Sequence, residues 1–174
     1  MGIIFCPENI DVVLFPEKIN GKYYALTRPV PMHIGPRCIW IATSPDLINW
    51  GEHKPLILPR PGSFDGGKNG GSCVPIKTEH GWLEIYHGSD EDDKYSLAVA
   101  LLDLNDPSKL LACPKEPLMR PEADYEVKGF YGNVVFSCGA VPKDDGTVII
   151  YYGASDELTA GAVTTIEKIM TTLK

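Results

Sequence analysis

The chemistry available to this chain begins with two short stretches. Gly66-Gly-Lys68-Asn-Gly-Gly71 sets one ammonium among backbone amides with no side chains to screen them, a combination suited to surrounding an anion. It is not a Walker A loop, which needs GxxxxGK followed by Ser or Thr at a helix start; here Asn69 and more glycine follow the lysine. A flexible loop without a ligand is the other reading of the same residues. The second stretch, Tyr86-His87-Gly88-Ser89-Asp90, holds an imidazole, a hydroxyl and a carboxylate side by side. Neighbours along a chain do not make a catalytic triad, whose geometry comes from the fold. Arg28 reads by itself as a solvated strand-end arginine and Tyr95 as packing. The five cysteines, Cys6, Cys38, Cys73, Cys113 and Cys138, are odd in number, widely spaced and without a CxxC pair. They read as reduced, mostly buried thiols rather than a disulfide or metal framework.

The elements that must position these groups are β-hairpins. Val74-Pro-Ile76 and Trp82-Leu-Glu-Ile-Tyr86 flank the polar Glu79-His-Gly81, a strand, a turn in which glycine can take φ > 0, and a second strand. The same design occurs around Gly21 in Leu14–Arg28 and around Gly146 in Cys138–Gly153, and the three turn glycines are 60 and 65 residues apart. Each is preceded by a proline and followed by an aromatic or aliphatic strand, which makes a loose internal repeat. Further strands are predicted at Val12-Val13, Cys38–Thr43, Tyr95–Leu104, Asn133–Ser137 and Thr159–Thr165. The Tyr95–Leu104 run also has helical propensity, and the repeat decides for strand. Ser44-Pro-Asp46 carries turn chemistry, with the aspartate set to accept from nearby amides. Pro55–Gly71 and Ala112–Gly129 read as loops, Arg28–Pro36 as a proline-rich link, and Thr165–Lys174 as a terminal helix. Repeated small antiparallel sheets without long helices between them suggest propeller blades, roughly over residues 10–60, 70–112 and 130–165 of one domain, 1–174.

Composition bounds the class. A chain of 174 residues can bury a real core. A formal net charge of −7 argues against nucleic acid, whose phosphates reward a basic face. No run is apolar enough to span a bilayer, and Met1–Pro7 lacks the basic start and cleavage pattern of a signal peptide, so neither a membrane nor secretion is expected and the cytoplasm is.

Read together, Leu14-Phe-Pro-Glu-Lys-Ile19 with Gly21-Lys-Tyr-Tyr24 and Arg28-Pro29, Ser44-Pro-Asp-Leu47 with Trp50, Pro75-Ile-Lys-Thr78 with Gly81-Trp-Leu83 and Tyr86-His-Gly88, Leu102-Asp-Leu104 with Asp106-Pro107, Pro121-Glu122 with Tyr125-Glu126, Asn133-Val-Val-Phe-Ser-Cys-Gly139 and Tyr151-Tyr-Gly-Ala-Ser-Asp156 form an ordered series. The series resembles the carboxy-terminal half of glycoside hydrolase family 130, the β-mannoside phosphorylases and related mannosidases. The resemblance implies an all-β fold, an about three-bladed part of a five-bladed β-propeller with a short C-terminal helix. It also implies cleavage of β-linked mannose by inorganic phosphate with inversion, phosphate being a co-substrate and not a cofactor. The family's general-acid aspartate lies before the Leu14-Phe-Pro segment, and no residue here matches it. Inverting cleavage needs a proton donor to the leaving oxygen, so the chain by itself is expected to be inactive or nearly so.

The same resemblance places Arg28, Lys68, His87 and Tyr95 on the phosphate side of the pocket. A guanidinium fork gives paired charge-assisted bonds to phosphate oxygens, and histidine can donate from a ring nitrogen. It places Asn133, Phe136 and Asp156 on the sugar side, as hydroxyl-bonding groups and an aromatic cover. Read alone, these three are a strand-start cap, a core ring and a turn residue. Glu122 and Glu126 read as loop-fixing. Phosphorolytic relatives tend to carry another arginine where this chain has Asn9-Ile-Asp11, which leaves a hydrolytic parent as an alternative. A non-catalytic glycan-binding or assembly module is another, and self-association is expected to cover open blade faces.

Overall fold

The structure, a computed structural model, describes residues 4–5, 8–30 and 35–173. Cys6 and the middle of the proline-rich link, Pro31–Ile34, lie outside them. The fold is all-β, with three antiparallel sheets and a short C-terminal helix. The first sheet has the order β1 (Asn9–Leu14), β2 (Tyr23–Pro29), β3 (Ile39–Ser44), β4 (Gly51–Ile57). The second runs β5 (Lys68–Gly71), β7 (Trp82–Ser89), β8 (Tyr95–Leu102), β9 (Leu110–Ala112), with the two-residue β6 (Ile76–Lys77) also paired to β7. The third is β10 (Val135–Pro142), β11 (Thr147–Ala154), β12 (Leu158–Thr165).

The turn glycines behave as their chemistry predicts: Gly21, Gly81 and Gly146 have φ of +79°, +154° and +82°. Ser44-Pro-Asp46 is the turn expected, with Asp46 Oδ1 accepting from the amides of Ile48 and Asn49 at 2.9 and 2.8 Å. Tyr95–Leu102 is a strand, paired residue for residue with β7.

The second sheet is buried on both faces. Toward the first sheet, Trp82, Tyr86, Ala98, Ala100 and Leu102 pack with Leu26, Ile39 and Ile41. Toward the third, Leu83, Ile85, Leu97 and Val99 pack with Val135, Val148, Ile150 and Tyr152. Full burial of each large aliphatic contributes roughly 1.5–3 kcal/mol, and double burial explains why β8 reads as a near-continuous apolar run and why β7 carries apolar residues on both faces around the buried polar Glu84 and His87. The C-terminal helix α2 (Ile166–Thr172) is capped by Thr165, whose side chain accepts from the Lys168 amide at 3.2 Å, and it inserts the fully buried Ile169 into the second core.

Four expectations need correction. Lys68–Gly71 is a strand, because Gly70 and Gly71 leave room for side chains of neighbouring strands to close over them. Gly51–Ile57, for which no element was expected, is an edge strand that tolerates Pro55 and keeps its polar residues in solvent. The Ala112–Gly129 segment holds a single helical turn, α1 (Asp124–Val127), and the strand expected from Asn133 begins at Val135. Of the four described cysteines, all free, Cys38 and Cys73 are buried, Cys113 is half-buried and Cys138 is exposed.

Candidate functional site

Strand ends from all three sheets meet at one edge of the molecule. The first sheet brings Arg28 near the end of β2. The second brings Lys68 at the start of β5, His87 near the end of β7 and Tyr95 at the start of β8. The third brings Phe136 from β10, whose approach is fixed by a parallel bridge between Val134 and Tyr95 and a bond from the Tyr95 amide to the Asn133 carbonyl at 3.0 Å.

His87 is the centre of this edge and is fully buried. Its Nδ1 is 2.7 Å from Ser72 Oγ. Its Nε2 faces Arg28 Nη1 and Asp11 Oδ2, each at 3.3 Å. Its ring lies on that of Phe136, with centroids 4.1 Å apart and planes inclined by 31°. Tyr95 closes the group, its ring 6.1 Å from His87 and 6.0 Å from Phe136. Lys68 Nζ stands 5.1 Å from the Tyr95 ring centroid and 2.6 Å from Asp93 Oδ1. Arg28 Nε is 2.9 Å from Asp11 Oδ2. Neither atom has a well-directed hydrogen bond, so the contact is electrostatic rather than a locked fork.

Burial pushes the His87 imidazole below its ordinary pKa, more strongly than Asp11 raises it. The ring is therefore neutral at pH 7 and can offer one donor and one acceptor. Lys68 stays above the ordinary lysine range: burial opposes its charge, but Asp93 and Tyr95 outweigh it. Asp93 is held below the carboxylate range by Lys68.

Five of the seven sequence-predicted residues, Arg28, Lys68, His87, Tyr95 and Phe136, are thus linked by direct contacts. Asn133 adjoins them through its backbone, with φ of +61° and an exposed side chain. Asp156 lies in the exposed β11–β12 turn and makes no hydrogen bond or ion pair to the group among the described residues. The neighbouring Ser155 carbonyl accepts from the Tyr131 amide, and the Tyr131 ring is 6.4 Å from Tyr95. No cluster among the described residues is arranged to hold a metal ion, and no helix there is long and apolar enough to cross a membrane.

Residues 8–174 match the family described as beta-1,4-mannooligosaccharide phosphorylase. The chain belongs to glycoside hydrolase family 130. Among its relatives in the family, a beta-1,2-mannobiose phosphorylase of Listeria innocua is 54% identical over 97% of this chain and 47% of its own length. A beta-1,4-mannooligosaccharide phosphorylase of Ruminococcus albus is 37% identical over 98% of this chain and 52% of its own. The solved Listeria innocua enzyme, in complex with beta-1,2-mannobiose, superposes with a TM-score of 0.96 over 99% of this chain and 48% of that one. The chain spans about half the length of the curated relatives it matches.

Sequence reasoning missed the anionic half of this family-130 edge. Asp11 and Asp93 each hold one of the two cations, and Ser72 holds His87. The available signal was the lone acid inside the apolar Ile10-Asp-Val-Val13 run, where a carboxylate on a strand needs a partner. Glu126 does what was read for it: Oε2 accepts from the amides of Glu122 and Ala123 at 2.8 and 2.9 Å, and Oε1 from Tyr152 at 2.7 Å.

Proposed function

We propose that this chain is the phosphate-holding portion of an inverting β-mannoside phosphorylase, comprising about three blades, over residues 10–60, 70–112 and 130–165, of a five-bladed β-propeller. The observation that carries the reading is the convergence of Arg28, Lys68, His87 and Tyr95, from two sheets, on one edge beside Phe136 from the third. Two cations and a neutral imidazole suit an anion, and an adjacent aromatic face suits the apolar side of a sugar ring. Asn133 and Asp156 are assigned to sugar hydroxyls.

In the reaction proposed, a phosphate oxygen held by Arg28 and Lys68 attacks the anomeric carbon from the face opposite the leaving oxygen. The glycosidic bond breaks, and the leaving oxygen takes a proton from a general acid. Mannose 1-phosphate and the shortened acceptor leave. The residues here bind and aim phosphate; none matches the family's general acid, so completion of the pocket falls to chain beyond these blades or to a second subunit. Self-association that covers the open sheet faces, and a cytoplasmic setting in which phosphate is abundant, complete the proposal.

Thermal unfolding in rising inorganic phosphate tests it. Phosphate is expected to raise the melting temperature of the wild type, since a ligand that binds only the native state stabilises it. Arg28→Ala and Lys68→Ala are expected to remove the rise. Equal rises in all three proteins rule the assignment out.

A further inference from the structure

Both cations of the proposed phosphate site already carry a carboxylate. Asp93 is half exposed and belongs to a solvent-facing turn, so it can swing from Lys68 with little penalty. Asp11 differs. Its side chain is 15% exposed, and its Oδ2 lies at the point where one oxygen meets both Arg28 Nε, at 2.9 Å, and His87 Nε2, at 3.3 Å. Those are the two nitrogens that an incoming phosphate oxygen would face, Nε2 being a donor in the tautomer whose Nδ1 accepts from Ser72 Oγ.

Three features show that the carboxylate is set there by the backbone rather than by chance. Asp11 has φ of +53°, a left-handed conformation uncommon outside glycine and one that aspartate tolerates better than most residues. It lies in a slip of register between Ile10 and Val13, where β1 departs from regular pairing with β2 and turns this side chain toward Arg28. Gly70 lies directly beneath it, and any side chain there would collide with the carboxylate. The seat is nevertheless loosely bonded, because neither Asp11 Oδ2 nor Arg28 Nε forms a directed hydrogen bond.

We infer that Asp11 is a built-in counter-ion that occupies the anion seat, so that phosphate binds by displacing its carboxylate from Arg28 and His87. The inference rests on the phosphate reading above and adds a competitor to it. Without ligand, Asp11 and Asp93 balance Arg28 and Lys68, so the edge carries no surplus positive charge while His87 is neutral. An anion gains the site by exchange, and its affinity is set by the difference between its own contacts and those of Asp11. Removing one member of a buried pair leaves the other charge uncompensated. Phosphate would restore that compensation.

The test is calorimetric titration of the full chain with inorganic phosphate, wild type against Asp11→Asn, with melting temperatures recorded alongside. Asp11→Asn is expected to melt lower without phosphate and to bind phosphate about tenfold more tightly or better, because the isosteric amide keeps the shape and removes the competing charge. Equal or weaker binding by Asp11→Asn than by the wild type overturns the inference and leaves the phosphate site standing. Absence of binding in both proteins overturns the phosphate reading itself, and the inference with it. Should Asp11→Asn fail to fold, the wild type decides: the Asp11 side-chain carboxyl carbon resonance is expected to move with the same half-saturation as the His87 ring signals. A carboxyl signal that stays still while His87 titrates overturns the displacement.

Discussion

Gly70 and His87 face each other across the β5–β7 ladder, and a Cβ placed on Gly70 would stand 2.7 Å from His87 Cε1 and 2.8 Å from Nε2. The bare backbone is therefore what allows the imidazole to turn toward Arg28 and Asp11. Gly70→Ala is expected to push His87 or Asp11 out of place, lowering stability by about 1–3 kcal/mol through overpacking and abolishing the phosphate-induced rise in melting temperature. Gly139 on β10, beside the slip of register after Ser137, has open space where its Cβ would be and no positive φ. Gly139→Ala is the control, expected within about 0.5 kcal/mol of wild type. Chemical denaturation of both variants checks this; equal losses would show that strand glycine as such, and not the His87 contact, is what matters.

Glu126 offers a second measurement, away from the cluster. Its carboxylate is buried and receives two backbone amides and the Tyr152 hydroxyl. Burial raises its pKa, but the three donors outweigh burial and hold it below the ordinary range. A depressed folded-state value stabilises the chain above the unfolded-state pKa, and that contribution is lost as pH falls through the folded-state value. Glu126→Ala leaves three donors unanswered and is expected to cost roughly 2–3 kcal/mol at pH 7. Glu126→Gln can keep its oxygen on the amides and donate its NH2 to Tyr152 Oη, so its cost is expected to be about half. Urea unfolding between pH 7 and pH 3 should show the wild type losing its advantage over Glu126→Gln in acid. An advantage that does not change with pH would contradict the role.

The hairpins were legible because their information is local: a glycine free to take φ > 0 between two β-rich runs is visible in a dozen residues. The grouping of Arg28 with His87 joins positions 59 residues apart, and it became legible only through a resemblance to a known family. Lys68–Gly71 was misread for a related reason. Glycine signals freedom in isolation, but Gly70 lies under Asp11 and His87, and Gly71 lies within 3.4 Å of where Glu84, Leu26 and Val13 would meet its side chain. Close packing against distant strands turns the same residues into a rigid strand. Asp11 was passed over because its partners lie on β2 and β7, and nothing local to β1 names them.

Glu84 supplies the remaining test. It sits in the middle of β7 with no exposed surface; Oε1 accepts from the Ser72 amide at 3.3 Å, while Oε2 is buried without a partner. Among the described residues no cation pairs with it. Burial therefore pushes its pKa well above 4.5, and the single amide bond recovers only part of the shift. The sign follows from proton binding. The folded chain holds this proton to higher pH than the unfolded chain does, so the contribution is full below the unfolded-state value and is lost as pH rises toward the folded-state value. Glu84→Gln keeps the size and the Ser72 bond but cannot ionise. It is expected to match the wild type near pH 4 and to be more stable at pH 7, the gap growing by up to about 1.4 kcal/mol per pH unit until the folded carboxyl titrates. Parallel stability profiles from pH 4 to 8 would show that Glu84 is ionised in the fold. The result also reaches the site, because Ser72, whose amide Glu84 holds, places its Oγ 2.7 Å from His87 Nδ1. Glu84→Leu, which frees that amide, is expected to weaken the phosphate response that Glu84→Gln preserves.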